Sequence, residues 1–257
     1  MSIYYEDDKV TLHHGDCLDI MPNLSPTSVN MVLADLPYGT TSNKWDAVID
    51  TEAMWDQYLR VGVDNAAFVF TASQPFTSTL VLSRPKLFRH EWVWIKNRGS
   101  NFANTVREPM KEHESVLVFS RGKWTYNKQM QERTGGGADR VKYDVAFNTS
   151  SENYRQFEGR DAKQLPNLRV PSSWQKFNTE VGLHPTQKPV DLMRYLIRTY
   201  SNDGDVVMDN TAGSGTTLVA AVAEGRRAIG IERDEAYCEV IAKRLASSRQ
   251  EQVDALF

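Results

Sequence analysis

Cysteine is scarce in this chain: Cys17 and Cys238 are the only two among 257 residues. That argues against a disulfide framework, and no Cys/His cluster has zinc-site spacing. Long apolar runs are also missing, and none approaches the ~20 residues that cross a bilayer. Residues 1–10 are acidic and lack a signal-peptide core, and no internal repeat is visible. The expectation is a soluble cytoplasmic protein with no membrane partner and no metal. Net positive charge is lacking as well: the formal charge is −3, which by itself argues weakly against a nucleic-acid binder. Its distribution argues the other way. Residues 1–83 hold 3 Lys/Arg against 11 Asp/Glu, and residues 84–142 hold 13 against 6. A basic middle in an acidic chain suits phosphate contacts, although a solvated face is the usual meaning of a charge run. The 40% hydrophobic content supports a sizeable core, in one domain with an insert or in two small domains.

What the chain does contain centres on residues 35–41, Asp-Leu-Pro-Tyr-Gly-Thr-Thr. They follow the apolar run 29–34, which reads as a buried strand. Asp35 thus lands at the C-terminal end of a strand, the edge where open α/β sheets bind ligands. Pro37 stiffens the turn, Tyr38 offers a stacking ring and Gly39 a pivot. An acceptor, a stiff turn and an aromatic so close together suit a planar substrate carrying an amino group. An ordinary strand-to-loop exit uses the same residue types.

A second stretch, 205–217, reads Asp-Val-Val-Met-Asp-Asn-Thr-Ala-Gly-Ser-Gly-Thr-Thr. A short strand ends in Asp209, a small-residue turn follows, and 218–224 looks helical. Strand, glycine turn and helix together let a backbone approach a nucleoside closely. The next strand, 228–231, ends in Glu232, about 20 residues on, where an acid commonly binds ribose hydroxyls. The turn lacks full Gly-x-Gly-x-x-Gly spacing, which favours a nucleoside cofactor smaller than a dinucleotide.

With these stretches in hand, the chain resembles the β-class amino-group DNA methyltransferases. Asp35-Leu36-Pro37-Tyr38 matches their (D/N/S)PPY motif, with Leu36 where the family usually has proline. Residues 212–217, Ala-Gly-Ser-Gly-Thr-Thr, resemble their S-adenosylmethionine motif, and 184–189, His-Pro-Thr-Gln-Lys-Pro, the segment that precedes it. The order, catalytic motif first and cofactor motif last, is the β-class order. The resemblance implies an α/β, Rossmann-like seven-stranded sheet with circularly permuted motifs. It divides the chain into a catalytic part at 1–127, a target-recognition insert at 128–182, and a cofactor-binding part of the same methyltransferase domain at 183–257.

The remaining pattern is compatible with that division. Further strands are read at 9–14, 66–71, 91–96 and 115–119, so that seven are expected in all, with Trp92, Trp94 and Phe119 as core. Helices are expected at 18–24, broken around Pro22, and at 51–63, 76–82, 189–200 and 236–248. From 128 to 182 periodicity fades, basic residues recur, and aromatics are interleaved at Tyr143, Phe147, Tyr154, Phe157, Trp174 and Phe177. That composition favours a nucleic-acid surface.

The resemblance implies double-stranded DNA as substrate, S-adenosyl-L-methionine as cofactor and S-adenosyl-L-homocysteine as product. It leaves a homodimer and a restriction-enzyme partner open. Asp35, Leu36, Pro37 and Tyr38 form the expected catalytic set. Asp16, Cys17, Asp35, Thr186, Lys188, Asp209, Thr211, Gly213, Ser214, Gly215, Thr216 and Glu232 form the expected cofactor set, with Asp16 at the adenine and Thr186 and Lys188 reaching the carboxylate. For Lys188, a surface lysine at a helix start has equal claim. The Asp35 side chain and the Leu36 carbonyl would hold the two hydrogens of an exocyclic amine, and Tyr38 would stack on the base. N6-adenine is expected over N4-cytosine because position 35 is Asp. A nucleotide-dependent oxidoreductase and a catalytically silent DNA-binding module are the readings from other classes; binding of S-adenosylmethionine against NAD, and a methyl-transfer assay, separate them. DNA binding should fall steeply with salt as basic residues within 84–182 release counterions from phosphates. A flat response between low and physiological salt in a titration would exclude that surface.

Overall fold

The computed structural model describes residues 2–39, 46–133, 168–180, 182–183 and 186–254. The chain divides into two compact units, Met1–Asn127 with Ser173–Phe257, and Lys128–Ser172. In the second unit the described residues form a two-stranded antiparallel ribbon, β7 (Gln131–Glu132) with β8 (Leu168–Arg169). The Arg133 guanidinium donates to the Leu168 carbonyl at 3.0 Å. Most of the stretch expected to be the recognition insert lies outside the described residues, including Tyr143, Phe147, Tyr154 and Phe157.

In the first unit, five parallel strands carry the fold: β2 (Val10–His14), β3 (Val29–Asp35), β4 (Gly62–Ala72), β10 (Val206–Asp209) and β11 (Arg227–Glu232). They lie in the order β2-β11-β10-β3-β4, every neighbouring pair parallel. The hairpin of β5 (Phe88–Ser100) and β6 (Lys111–Phe119) extends the sheet, with β6 antiparallel to both β4 and β5. These are the seven expected strands. Two edge strands bring the sheet to nine: β1 (Ser2–Glu6), antiparallel to β2, and β9 (Trp174–Lys176), parallel to β5. Both are edge additions. β9 spans three residues, too few for periodicity to register, and the β1 register slips at a bulge between Ile3 and Tyr5. As β9 belongs to the first unit, residues 173–182 depart from the expected insert. The Trp94 indole N–H donates to the Phe177 carbonyl at 3.0 Å and ties that stretch to β5.

β5 and β6 are also longer than the strands read at 91–96 and 115–119. Alternation marks burial and fades where the sheet body ends, while backbone pairing continues to Ser100 opposite Lys111.

Helices cover both faces. Side chains alternate along β3: Met31 and Leu33 meet one apolar layer, Val32 and Ala34 the other. The first layer packs under α4 (Val190–Tyr200), α5 (Thr216–Ala223) and α6 (Glu235–Asp254). The second packs under α1 (Cys17–Ile20), α2 (Thr51–Val61) and α3 (Phe76–Ser83). Helices start where caps satisfy the first N–H groups: Asp16 accepts from Leu18 N, and Asp50 from Glu52 N and Ala53 N.

Trp55 sits at the centre of the second layer, fully buried. Its ring meets Tyr58, Phe68, Phe70 and Phe119 edge-on at 5.2–5.8 Å, and its N–H donates to the Ser83 hydroxyl at 2.9 Å. Trp55→Ala would open a cavity shared by α2, α3, β4 and β6. It should cost roughly 3–5 kcal/mol, as for a buried aromatic, read as a lowered denaturation midpoint in a urea titration.

Candidate active site

Because β2, β11, β10, β3 and β4 run parallel, their C-terminal ends share one edge. Five acceptor-bearing positions meet there: Asp16 just beyond β2, Glu232 ending β11, Asp209 ending β10, Asp35 ending β3 and Thr71 near the end of β4. The four acids border a cavity of about 1200 Å³, large enough for a nucleoside cofactor with a flat substrate group beside it.

One wall is the glycine turn. Asp209 is buried, and its carboxylate accepts from Thr211 N at 3.0 Å. Glu232 accepts from Gly213 N at 2.7 Å and from Asp234 N at 2.8 Å, clamping the turn to the end of β11. Thr211, Gly213, Ser214 and Thr216 border the cavity, as do Asp16 and Cys17 across from them. Gly215 does not, which corrects the expectation that it meets the ligand. It adopts φ +79°, and an added Cβ would lie 2.9 Å from the Ile241 side chain. Its hydrogen atom is needed for the turn and for packing on α6. Gly213, at φ +54°, is the glycine that faces the cavity.

The other wall is the motif loop. Asp35 Oδ1 accepts from the Tyr38 hydroxyl at 2.9 Å and from the Thr71 hydroxyl at 2.5 Å, and Oδ2 accepts from Lys188 Nζ at 2.6 Å. Pro37 borders the cavity, and Tyr38 stacks on Phe76 with ring centroids 5.2 Å apart. Leu36, in the position where proline was expected, sends its side chain into the second apolar layer. The two walls are joined by the Thr211 hydroxyl, which donates to the Asp35 carbonyl at 3.1 Å.

Lys188 is buried, which removes the surface-lysine alternative. It borders the cavity with Thr186 and ion-pairs with Asp35 and, at 3.6 Å, with Glu114. Burial works to lower the affinity of the Lys188 ammonium for its proton. The charges of Asp35 and Glu114 outweigh burial and hold its pKa above the ordinary value. Sequence reasoning missed Thr71, Glu114 and Lys96, which pairs with Glu114. Lys96 ends the alternating run 91–96, and Thr71 and Glu114 flank apolar runs, where each reads as a polar position like any other. Thr40, Thr41, His184 and Pro185 lie outside the described residues.

The residues fit a cationic nucleoside cofactor. Burial pushes the Asp209 pKa from 3.8 up to about 7, and the nearby Asp35 and Glu232 push the same way. Burial likewise raises Glu232. A field that penalises negative charge this strongly is one that a bound cation would relieve. Among the described residues, the Asn210 amide nitrogen is buried at this cavity without a hydrogen-bond partner.

A doubly wound sheet with a glycine turn and a carboxylate-bearing loop on one cavity defines an α/β enzyme of the nucleoside-cofactor class. The chain belongs to the DNA methylase family, whose model matches residues 29–244, and it is an S-adenosylmethionine-dependent DNA methyltransferase. It is 25% identical over 261 residues to Type II methyltransferase M2.DpnII of Streptococcus pneumoniae, covering 96% of this chain and 93% of that one. It is 28% identical over 258 residues to DNA adenine methyltransferase YhdJ of Escherichia coli, covering 94% and 84%. The fold matches the M1.HpyAVI complex with S-adenosylmethionine at TM-score 0.61 and 23% identity, covering 91% and 99%. It matches the cytosine-N4-specific PvuII methyltransferase at TM-score 0.64 and 14% identity, covering 93% and 87%.

Asp209 also sets a pH dependence. Its pKa is higher in the fold than in the unfolded chain, so between about pH 4 and 7 the fold binds more protons. Stability contributed by protonated Asp209 is therefore present below that window and lost as pH rises through it. Asp209→Asn should flatten this slope, read as a melting temperature that falls less between pH 5 and pH 8 than in the wild type. Parallel curves for the two proteins would reject the assignment.

Proposed function

We propose that this chain transfers the methyl group of S-adenosyl-L-methionine to the N6 amine of an adenine flipped out of double-stranded DNA, leaving S-adenosyl-L-homocysteine. The observation that carries the reading is the joined pair of walls: the Asp35 loop and the Gly213 turn face one cavity, linked by Thr211. An exocyclic amine is a weak nucleophile because its lone pair is delocalised into the ring. The Asp35 carboxylate and the Leu36 carbonyl would each accept one amine hydrogen and favour the tetrahedral nitrogen that attacks, an effect of orientation and transition-state electrostatics. Tyr38, its ring plane held against Phe76, would stack on the base. Extracting the base from the duplex costs roughly a few kcal/mol, which contacts in the cavity must offset. When bound, the cofactor supplies an electrophilic methyl group and its own leaving group. Asp16 suits its adenine and Glu232 its hydroxyls, Gly213 allows close backbone approach, and the acidic Asp35–Asp209 side suits its positive centre.

Asp at position 35 supports adenine over cytosine, since a carboxylate accepts more strongly than a hydroxyl as charge develops on nitrogen. The 28%-identical adenine enzyme YhdJ points the same way. The N4-cytosine reading is the alternative. Digesting treated DNA to nucleosides and measuring both products by mass spectrometry should yield N6-methyladenine; N4-methylcytosine alone would overturn the choice of base. Asp35→Asn should lower turnover by roughly 10²- to 10³-fold, the cost of removing one transition-state contact, with S-adenosylmethionine affinity in calorimetry falling far less than turnover.

A further inference from the structure

The residues behind Asp35 form a chain of alternating charge. Lys96 on β5 pairs with Glu114 on β6, Glu114 lies 3.6 Å from Lys188 Nζ, and Lys188 pairs with Asp35 at 2.6 Å. The side chains of Lys96, Glu114 and Lys188 are only 9%, 13% and 7% exposed. Two ammonium groups and two carboxylates balance, so the cluster as a whole is neutral. Two details stand out. Asp35 Oδ2, an oxygen the proposed amine would use, is engaged by Lys188. Glu114 Oε2, buried and facing that same ammonium, has no hydrogen-bond partner among the described residues.

We propose that Lys188 is a positioning residue that holds Asp35 Oδ2 until the substrate amine takes it, and then moves to Glu114 Oε2. This rests on the function proposed above. A hydrogen bond needs about 2.9 Å, so from 3.6 Å the ammonium has less than roughly 1 Å to travel. A buried charge left unpaired is strongly destabilising, and the second carboxylate removes that penalty by keeping Lys188 paired in both positions. The amine then competes for Asp35 against an ammonium that has somewhere else to go. Without the charge on Glu114, Lys188 has Asp35 alone, and the amine must break an ion pair to bind.

The test is tritiated methyl transfer from S-adenosylmethionine to unmethylated genomic DNA, with wild type, Glu114→Gln, Lys188→Met and the double variant. Glu114→Gln should lower kcat by about tenfold to a hundredfold, the effect of a hydrogen bond to a charged group. KM for S-adenosylmethionine should stay at the wild-type value, while the melting temperature falls because Lys96 loses its charged partner. The two losses should be non-multiplicative in the double variant, because both residues act on one ammonium transfer. Glu114→Gln turnover within twofold of wild type, or losses that multiply, would overturn the proposal. If Glu114→Gln loses cofactor affinity, Glu114→Asp replaces it, its carboxylate too short to receive the ammonium. Slower transfer at intact cofactor affinity then supports the proposal, and turnover within twofold overturns it. Absence of methyl transfer by the wild-type chain would overturn this inference and the proposed function together; wild-type turnover with an unaffected Glu114→Gln would overturn this inference alone.

Discussion

Asp35 and Lys188 meet at 2.6 Å although 153 positions separate them in the chain. Both charges are withdrawn from water to different degrees: Lys188 is 7% exposed and Asp35 25%. Much of the site follows from that pairing. It aims one Asp35 oxygen at the segment before α4, leaving the other to Tyr38 and Thr71. It also draws the Lys188 segment against the C-terminal edge of the sheet, where it helps to close the cavity opposite the glycine turn. A buried ion pair of this kind adds little net stability, because desolvation of both partners offsets their attraction. Its value here is positional.

The parallel sheet makes this possible. Five parallel strands deliver their last residues to one edge, so acids that end successive strands converge without any of them being neighbours in sequence. That convergence concentrates negative charge, and the fold accommodates it in two ways. Glu232 is met by backbone N–H groups of Gly213 and Asp234, and Asp35 by a lysine. Burial still raises the pKa of both Asp209 and Glu232, and for Asp209 the neighbouring Asp35 and Glu232 add to it. A site that holds three acids this close is chemically prepared for a positively charged ligand, in keeping with a family whose methyl donor is a sulfonium.

The apolar layers support the site from behind. Tyr58, fully buried beside Trp55, donates to the Asn210 side chain at 2.6 Å, so the aromatic layer under α2 reaches the residue next to Asp209. On the other face, Arg244 of α6 donates to the Ser214 carbonyl at 2.6 Å, and Ile241 fills the space that a side chain at Gly215 would take. The glycine turn is thus held from both layers, which is why its two glycines serve different ends.

Local order in the chain was enough to determine the strands at the heart of the sheet, most helix positions and the two motif turns. Hydrophobic periodicity and turn chemistry act over a few residues and are written directly in composition. So Asp35, Asp209 and Glu232 could be assigned to strand ends from sequence, and the parallel arrangement made them neighbours. Edge strands β1 and β9 escaped because they are short or bulged and carry little periodic signal. What only tertiary structure decided were the partners. The burial of Lys188, its choice of Asp35, the roles of Thr71, Glu114 and Lys96, and the turning of Gly215 away from the cavity all depend on which segments meet across the sheet edge. Charge pairing of this sort acts through space between residues up to 153 positions apart, and no local pattern records it.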